Sequence, residues 1–347
     1  MTIDNLHLPF EAWRAANPID SDHCFLCWSE LTNENRTDEH VFPKWMQDRF
    51  SLFNQPLTLP NKTWIPYRMI RIPCCGKCNN EALSRLEQKM SGAIQVGFDE
   101  FTDLISKKEL FLWLQCLFYK TLYKDMSLLV DRSDRGPKIV SPEDLATLRL
   151  SHAFLRAIDC SVHFDGFLPA SIFLVRTKTS SDAALNFDYV DSIPHSCLAI
   201  RMNDVGIIAS LRDGGLQEAL MGEQMQQDLL DHEFNPVQFR NLFAKVLYQQ
   251  SRIKDPFKYG ITAGDPKSLE ISREMMSQNE FGGDHVFGPE DSDLHAQITA
   301  GVLGTTVEAI KLPDGSVGSL FYDLEGNWKD RPFEDEGWKP NSVAVES

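Results

Sequence analysis

Two Cys-x-x-Cys pairs constrain this 347-residue chain more than any other feature of its sequence. Cys24-Phe25-Leu26-Cys27 and Cys75-Gly76-Lys77-Cys78 each place two thiols on one side of a tight turn. Two such knuckles supply the four sulfur ligands that tetrahedral zinc prefers, so we predict a structural zinc site made by Cys24, Cys27, Cys75 and Cys78. Cys74 has a Cys-x₃-Cys spacing to Cys78, which makes it the alternative to Cys75.

The remaining cysteines, Cys116, Cys160 and Cys197, are scattered through apolar segments, and we interpret them as ordinary buried thiols. The first residues, MTIDNLHLPFEAW, contain no basic stretch followed by an apolar one, so we expect no export signal. The longest nearly apolar run, Leu110–Tyr119, is about half of what a bilayer span needs. We therefore expect a cytoplasmic protein without a membrane partner, whose thiols stay reduced.

The distribution of charge singles out the segment that holds the second knuckle. The net charge of the whole chain is −16, which is unusual for a protein that binds nucleic acid. Residues 36–90, however, hold nine lysines and arginines against five acidic residues. Because attraction to phosphate depends on the local field, this segment is a candidate for contact with nucleic acid. An ordinary solvated face would give the same balance of charge.

Between the knuckles, the sequence Thr37-Asp38-Glu39-His40-Val41-Phe42-Pro43 places a carboxylate directly before a histidine. We interpret it as the end of a strand that presents Glu39 and His40 to one site. A carboxylate can hold Mg²⁺ or another hard cation, and an imidazole can take a proton from water at neutral pH. Taken alone, an Asp-Glu-His triplet is also typical of an exposed surface.

Asn79 and Asn80 directly follow the second knuckle and begin a predicted helix over residues 79–92. An asparagine there can direct its carbonyl oxygen toward Glu39 and His40 and complete a metal site. Glu87 lies about two turns further along this helix, and we interpret it as a solvated residue that pairs with Lys89 or Arg85. The alternative is that Glu87 is a further ligand of the metal.

Cys-x₂-Cys, Glu-His-x-x-Pro and Cys-x₂-Cys-Asn, in this order over residues 24–90, resemble the zinc-containing HNH endonucleases of the ββα-metal class. The resemblance implies that His40 is the general base and that Glu39 and Asn79 hold a catalytic Mg²⁺ or Mn²⁺, with Asn80 as the fallback ligand. The zinc at the cysteines would be structural. The implied activity is metal-dependent hydrolysis of phosphodiester bonds, with DNA favoured over RNA, as in bacterial restriction or phage-defence effectors.

The chain departs from the family pattern in the segment before the second knuckle. The family has its middle asparagine a few residues before that knuckle, where this chain has Met69-Ile70-Arg71-Ile72, and Asn61 is the nearest candidate. The insert over residues 47–67 is longer than a minimal module needs. Arg68 and Arg71 could hold a phosphate or could be ordinary exposed residues of a strand.

A second hypothesis keeps the zinc module but not the chemistry. It is a non-catalytic module that binds nucleic acid, with a C-terminal domain that contacts a protein partner or a ligand. Glu39, His40 and Asn79 discriminate between the two hypotheses, because a module that only binds does not need them.

The predicted fold class is α+β, with an N-terminal ββα-metal or treble-clef-like zinc module, central helices and a C-terminal mixed α+β domain. We place the boundaries at residues 1–98, 99–160 and 161–331, followed by a loose acidic tail over 332–347. Asp284-His285 echoes Glu39-His40, but no knuckle follows it, and we interpret it as an acidic loop. The clearest predicted elements are a buried helix over Lys107–Lys124, a helix capped by Ser141 and Asp144, a strand over Ala170–Arg176, a hairpin over Ser196–Met202 and Val205–Leu211, a helix from Asn235-Pro236, and a hairpin over Thr305–Leu312 and Val317–Tyr322.

Overall fold

The computed structural model describes residues 8–59, 61–131, 136–164, 166–221, 223–254, 257–263, 268–276, 286–323 and 325–333. Its α-helices are α1 (Phe10–Ala16), α2 (Lys44–Arg49), α3 (Ser84–Val96), α4 (Phe98–Leu104), α5 (Lys107–Asp125), α6 (Pro142–Thr147), α7 (Arg149–Leu155), α8 (Leu216–Ala219), α9 (Glu223–Asp231), α10 (Pro236–Arg252), α11 (Ser292–Leu303) and α12 (Val307–Ile310). Its strands are β1 (Arg36–His40), β2 (Pro56–Thr58), β3 (Trp64–Pro66), β4 (Arg71–Cys75), β5 (Ser161–Phe164), β6 (Ser171–Thr177), β7 (Phe187–Ser192), β8 (Cys197–Met202), β9 (Val205–Ser210), β10 (Glu233–Phe234), β11 (Phe257–Ala263) and β12 (Ser268–Met275).

The chain divides into two compact units, each built from separate stretches of sequence. Unit 1 consists of Met1–Ala93, Ile105–Leu168 and Phe257–Met275, and unit 2 of Ile94–Leu104, Pro169–Pro256 and Met276–Ser347. Both units combine helices with strands, which confirms the predicted α+β class. Among the described helices, none is long and apolar enough to cross a bilayer. Residues Asp284 and His285, and the predicted tail from residue 334 onward, lie outside the described residues.

In unit 1, β1 and β4 form an antiparallel pair that carries the sequence motifs. Arg36 at the start of β1 lies opposite Cys75, and His40 at its end lies opposite Arg71. The insert between these strands contains α2 and the β2–β3 hairpin. Beyond β4 the chain enters a π-helical turn over Cys78–Leu83 and continues into α3. The helix predicted over residues 79–92 is thus present, but its first turn is wound more widely than an α-helix, a form often found at functional sites.

Helix α5 forms the centre of unit 1. It begins at a capping box in which Ser106 and Glu109 bond each other's backbone amides, and most of its residues are buried. Its apolar residues point in every direction, so the buried helix predicted from this pattern is confirmed. Phe111 packs edge-on against Phe154 of α7, with ring centroids 5.4 Å apart. In the same unit, β12 pairs with both β11 and β5.

In unit 2, a five-stranded sheet has the order β10-β6-β9-β8-β7, and α10 packs against it. The predicted hairpin of β8 and β9 is confirmed, with Asn203 in the left-handed region at φ 55° in its turn. The predicted α10 is also confirmed, and it begins at a capping box of Asn235 and Gln238. Phe239 and Phe243 of α10 belong to the core together with residues of the sheet.

The hairpin predicted over residues 305–322 is wrong in both strands, since Val317–Tyr322 form no strand and take part only in isolated bridges. Val307–Ile310 form the short helix α12 instead of a strand, because the Thr306 hydroxyl accepts a hydrogen bond from the Ala309 amide and caps a helical turn. The predicted reversal at residues 313–316 is present, since the Leu312 amide donates to the Ser316 carbonyl at 2.9 Å. A single bridge between Lys311 and Val317 follows it.

Candidate metal centre and the Glu39–His40 site

The two knuckles come together at one point of unit 1. The sulfur atoms of Cys24, Cys27, Cys75 and Cys78 all lie within 4.8 Å of one another, and Cys27 Sγ is 3.7 Å from Cys75 Sγ. Four ligands at about 2.3 Å around a tetrahedral zinc would have their sulfurs about 3.8 Å apart. Among the described residues, these four cysteines are the group of His, Cys, Asp or Glu side chains whose ligand atoms lie close enough together to hold one metal ion. The four cysteines could therefore hold a metal such as zinc.

Cys74 is buried beside this cluster but is not one of the four converging sulfurs. Its Sγ lies 3.8 Å from Cys24 Sγ and donates to the Cys75 carbonyl at 3.5 Å. The backbone amide of Cys78 donates to Cys75 Sγ at 3.4 Å, as expected when a knuckle wraps its first sulfur. Of the two alternatives left by the sequence, this geometry favours Cys75.

The electrostatics of the cluster favour a cation at its centre. Hydrogen bonds from Cys27 and the other neighbouring thiols lower the pKa of Cys24, so one thiolate forms readily. The hydrogen bonds of Cys78 with Cys24 and Cys27 raise the pKa of Cys78, and the charge on Cys24 raises it further. Four thiolates cannot accumulate at this spacing without a compensating charge, which a bound divalent metal would supply.

The first knuckle is held in place by side chains that are distant in the sequence. Buried His152 of α7 donates from Nε2 to the Phe25 carbonyl at 3.0 Å, and its ring stacks on Trp28 with centroids 3.6 Å apart. Arg156 donates from Nη1 to the Leu26 carbonyl at 3.1 Å. Neither residue was predicted from the sequence, because neither lies in a motif.

Glu39 and His40 are the last two residues of β1, as predicted for a strand end, and both are buried. The ammonium of Lys120, from α5, donates to Glu39 Oε1 at 2.9 Å and to the His40 carbonyl at 3.0 Å. Burial alone would lower the pKa of Lys120, but Glu39, Cys116 and Glu87 together outweigh it and raise that pKa, so the side chain is charged. Lys120 was missed, although a lysine inside an all-apolar helix indicates a buried acidic partner.

The His40 imidazole lies in a basic environment. Burial lowers its pKa below the usual value, and the Arg71 guanidinium and the Lys44 ammonium lower it further, against the opposing effect of Glu39. His40 is consequently neutral at neutral pH. Successive side chains of a regular strand point to opposite faces, so Glu39 and His40 can serve one site, as predicted, only at the end of β1, where both residues lie.

Glu87 on α3 is the carboxylate that the structure brings toward Glu39. Its Oε1 lies 3.8 Å from Lys120 Nζ, so Lys120 lies between the two acidic side chains. Its Oε2 accepts hydrogen bonds from the indoles of Trp45 at 2.9 Å and Trp113 at 3.2 Å. Burial raises the pKa of Glu87, with Lys120 acting in the opposite direction. The prediction that Glu87 is a solvated helix residue is therefore wrong.

The asparagines lie near the other end of β1. Asn79 donates from its side-chain amide to the Thr37 hydroxyl at 3.1 Å, two residues before Glu39 on the same strand. Asn80 is exposed and lies near Gly76. Asn61 donates to the Leu129 carbonyl at 2.5 Å and accepts from the Thr63 amide, which gives it a role in holding the β2–β3 hairpin.

An exposed aromatic and basic surface continues from the His40 end of β1. Arg71 donates from Nε to the Arg68 carbonyl at 2.9 Å, and the Arg68 guanidinium lies 5.5 Å from the centroid of the Phe53 ring. Met69 is 59% exposed, and Trp64 on the adjoining hairpin is 72% exposed. We call Phe53, Arg68, Met69 and Arg71 the Arg68 surface. Cations beside exposed aromatic rings suit a ligand that carries both phosphates and flat bases.

The remaining cysteines have the roles expected of ordinary thiols. Cys116 and Cys197 are buried, Cys160 is half-buried, and Cys197 donates to the His195 carbonyl at 3.4 Å.

Comparisons of the chain with protein-family models, with curated proteins and with solved structures found no match.

Proposed function

We propose that this chain is a metal-dependent endonuclease of the HNH type that hydrolyses phosphodiester bonds, with DNA favoured as substrate. The observation that carries the proposal is the combination of Glu39-His40 at the end of β1 with the four-cysteine cluster at the other end of the β1–β4 pair. The order strand, strand, helix, with a cysteine cluster where the second strand meets the helix, supports a ββα-metal module.

The proposed chemistry begins at His40. Its neutral imidazole accepts a proton from a water molecule that attacks the scissile phosphorus opposite the leaving 3′-oxygen. Arg71, opposite His40 in the strand pair, and exposed Lys44 attract the phosphate to this end of β1. The Arg68 surface extends the contact along the nucleic acid. Phosphate contacts of this kind fix the position of the backbone without reading its sequence.

A hard cation such as Mg²⁺ or Mn²⁺ would neutralise the charge that develops on the leaving oxygen. Glu39 would be the first ligand of this cation. Lys120 engages Oε1, so the second carboxylate oxygen of Glu39 would bind the metal. Asn79 is the second ligand that the motif implies, with Asn80 as its fallback. Glu87, which shares Lys120 with Glu39, is the further candidate. The cysteine cluster takes no part in the reaction, because four protein ligands leave zinc no open position.

One observation favours the second candidate function, a zinc module that binds nucleic acid without cutting it. Lys120 places a fixed positive charge between Glu39 and Glu87, where a catalytic cation would otherwise compete for the same oxygens. In that case, Glu39 serves to anchor β1 to α5. The Arg68 surface and the cysteine cluster would then be sufficient for the function.

The test is a cleavage assay on plasmid DNA and on RNA with Mg²⁺ or Mn²⁺, comparing the wild type with His40→Ala and His163→Ala. His163 is an exposed histidine of β5 and serves as the matched control. We expect His40→Ala to reduce the cleavage rate by about 10²–10⁴-fold, the usual effect of removing a general base, while zinc content and thermal stability stay close to wild type. If the wild type binds DNA but never cuts it, the binding module is the correct function.

A further inference from the structure

Unit 2 contains a cavity of about 620 Å³ that the proposed nuclease chemistry does not use. Its walls come from β6, α8, α10, α11 and the turn at residues 316–317. Most of the lining is apolar and includes the side chains of Phe173, Leu220, Met221, Leu242, Val246, Phe287 and Val317. A volume of about 300–1,000 Å³ with mainly apolar walls is typical of small-molecule sites.

Lys245 of α10 is a charged group in this lining that has no ion pair with an acidic residue in the part of the chain that the structure describes. Its ammonium lies 4.6 Å from the centroid of the Phe321 ring, so an aromatic face rather than a carboxylate contacts the charge. Burial lowers the pKa of Lys245, and no neighbouring carboxylate among the described residues opposes that effect. An ammonium that is removed from water without a counter-charge destabilises the fold. An anionic ligand would relieve this cost.

His295 of α11 adds a second polar group to the same cavity. Its ring stacks on Tyr248 with centroids 4.4 Å apart, and its Nε2 is buried without a hydrogen-bond partner among the described residues. Glu290, at the rim, lies 3.7 Å from Arg252 and is 86% exposed, so its charge is turned to solvent. Lys245 and His295 therefore give the cavity an ammonium and a ring nitrogen that can both contact a ligand.

We propose that this cavity binds a small apolar molecule that carries one anionic group, with Lys245 pairing with the anion and the apolar walls holding the remainder. His295 supplies an additional hydrogen bond to the anion. The shared chemistry is that of a carboxylate, sulfonate or phosphate attached to a hydrocarbon or aromatic body. This inference does not depend on the nuclease function, because every residue that carries it belongs to unit 2.

Two fluorescent naphthalene probes test the proposal on the full chain. 8-Anilino-1-naphthalenesulfonate carries a sulfonate, whereas N-phenyl-1-naphthylamine has a similar aromatic body without the charge. We expect wild type to bind both probes with one site per chain, and decanoate to compete with the sulfonate. Lys245→Met should weaken binding of the sulfonate by at least about tenfold, the effect of losing a hydrogen bond to a charged group, and leave binding of the neutral probe unchanged.

Lys245→Arg and Lys178→Met are the controls. The arginine variant keeps the charge and should bind the sulfonate within a few-fold of wild type. Lys178 belongs to unit 2 but pairs with Asp330 away from this cavity, so its substitution should have no effect on either probe. Unchanged binding of the sulfonate to Lys245→Met would overturn the proposal, as would an equal loss of both probes or no binding by wild type.

Discussion

The Lys120 ammonium lies 2.9 Å from Glu39 Oε1 and 3.0 Å from the carbonyl oxygen of His40, so one buried cation on α5 holds both residues at the end of β1. The side chain of Lys120 is 1% exposed. An ion pair this deeply buried stabilises a fold only while both partners are present. The same contact therefore bears on the folding of unit 1 and on the position of the two residues proposed to act on a phosphodiester.

Replacement of Lys120 by Met should destabilise the protein strongly. It leaves Glu39 as an unpaired buried carboxylate, a change that typically costs about 3–5 kcal/mol in free energy of unfolding. Glu39→Gln should also destabilise the protein, and the double variant should lose less than the sum of the two single losses. Urea unfolding of the four proteins measures this coupling. Strictly additive losses would mean that Lys120 and Glu39 do not act as a pair.

Substitution of Cys78 by Ser should remove zinc and unfold unit 1. Purified wild type should contain about one zinc per chain, because the two knuckles provide one closed four-sulfur site. Metal binding and folding are coupled in such sites, so the variant should aggregate or lose its cooperative thermal transition. Cys116→Ser is the control, since this buried thiol lies outside the cluster. Elemental analysis measures the zinc content of both variants. Stably folded wild type without metal would refute the zinc site.

Motifs with fixed local spacing were predictable from the sequence. Each knuckle is a short turn whose two cysteines are three residues apart, so the local spacing was enough to identify the four thiols that converge in the structure. Helix α5 followed from its apolar residues on every side, and the β8–β9 turn followed from Asn203, which tolerates a positive φ. In each case, the determinant lies within the element itself.

Contacts over long sequence distances were not predictable. Lys120 is 81 residues from Glu39, and His152 is 127 residues from the carbonyl that it binds. Strands β11 and β12 join β5 although Pro169–Pro256 of unit 2, a stretch of 88 residues, lies between them in the sequence. These relationships depend on tertiary packing, for which a single sequence offers only indirect signs, such as a lysine within an apolar helix.

Substitution of Asn79 should identify the second ligand of the catalytic cation. Asn79 directly follows Cys78, so the cluster fixes its backbone, and its bond to Thr37 leaves the amide oxygen available. We expect Asn79→Ala to raise the Mg²⁺ concentration needed for half-maximal cleavage by at least about tenfold, the effect of losing a group that supports a metal site. Asn80→Ala, at an exposed position, is the control and should resemble wild type. A large shift for Glu87→Gln with none for Asn79→Ala would assign the ligand to Glu87.

Buried His152 should make the protein sensitive to acid. Burial lowers the pKa of His152 well below its usual value, the Arg156 guanidinium lowers it further, and the hydrogen bond to the Phe25 carbonyl acts in the opposite direction. In the unfolded chain the pKa of a histidine is about 6.5. Below that pH the unfolded chain binds a proton that the folded chain does not bind at this residue. The free energy of unfolding should therefore fall with decreasing pH by up to about 1.4 kcal/mol per pH unit from this residue.

His152→Gln keeps a side-chain donor for the Phe25 carbonyl but cannot titrate. We expect it to be less stable than wild type at pH 8, because the stacking on Trp28 is lost, yet to lose less stability between pH 6.5 and pH 5. Protonation of the cysteines also destabilises the protein in acid, but it affects both chains equally and cancels in the difference. His163→Gln, at an exposed position, should follow the wild-type slope. Urea unfolding at several pH values measures all three slopes, and parallel slopes for wild type and His152→Gln would show that His152 is not a neutral buried histidine in the folded protein.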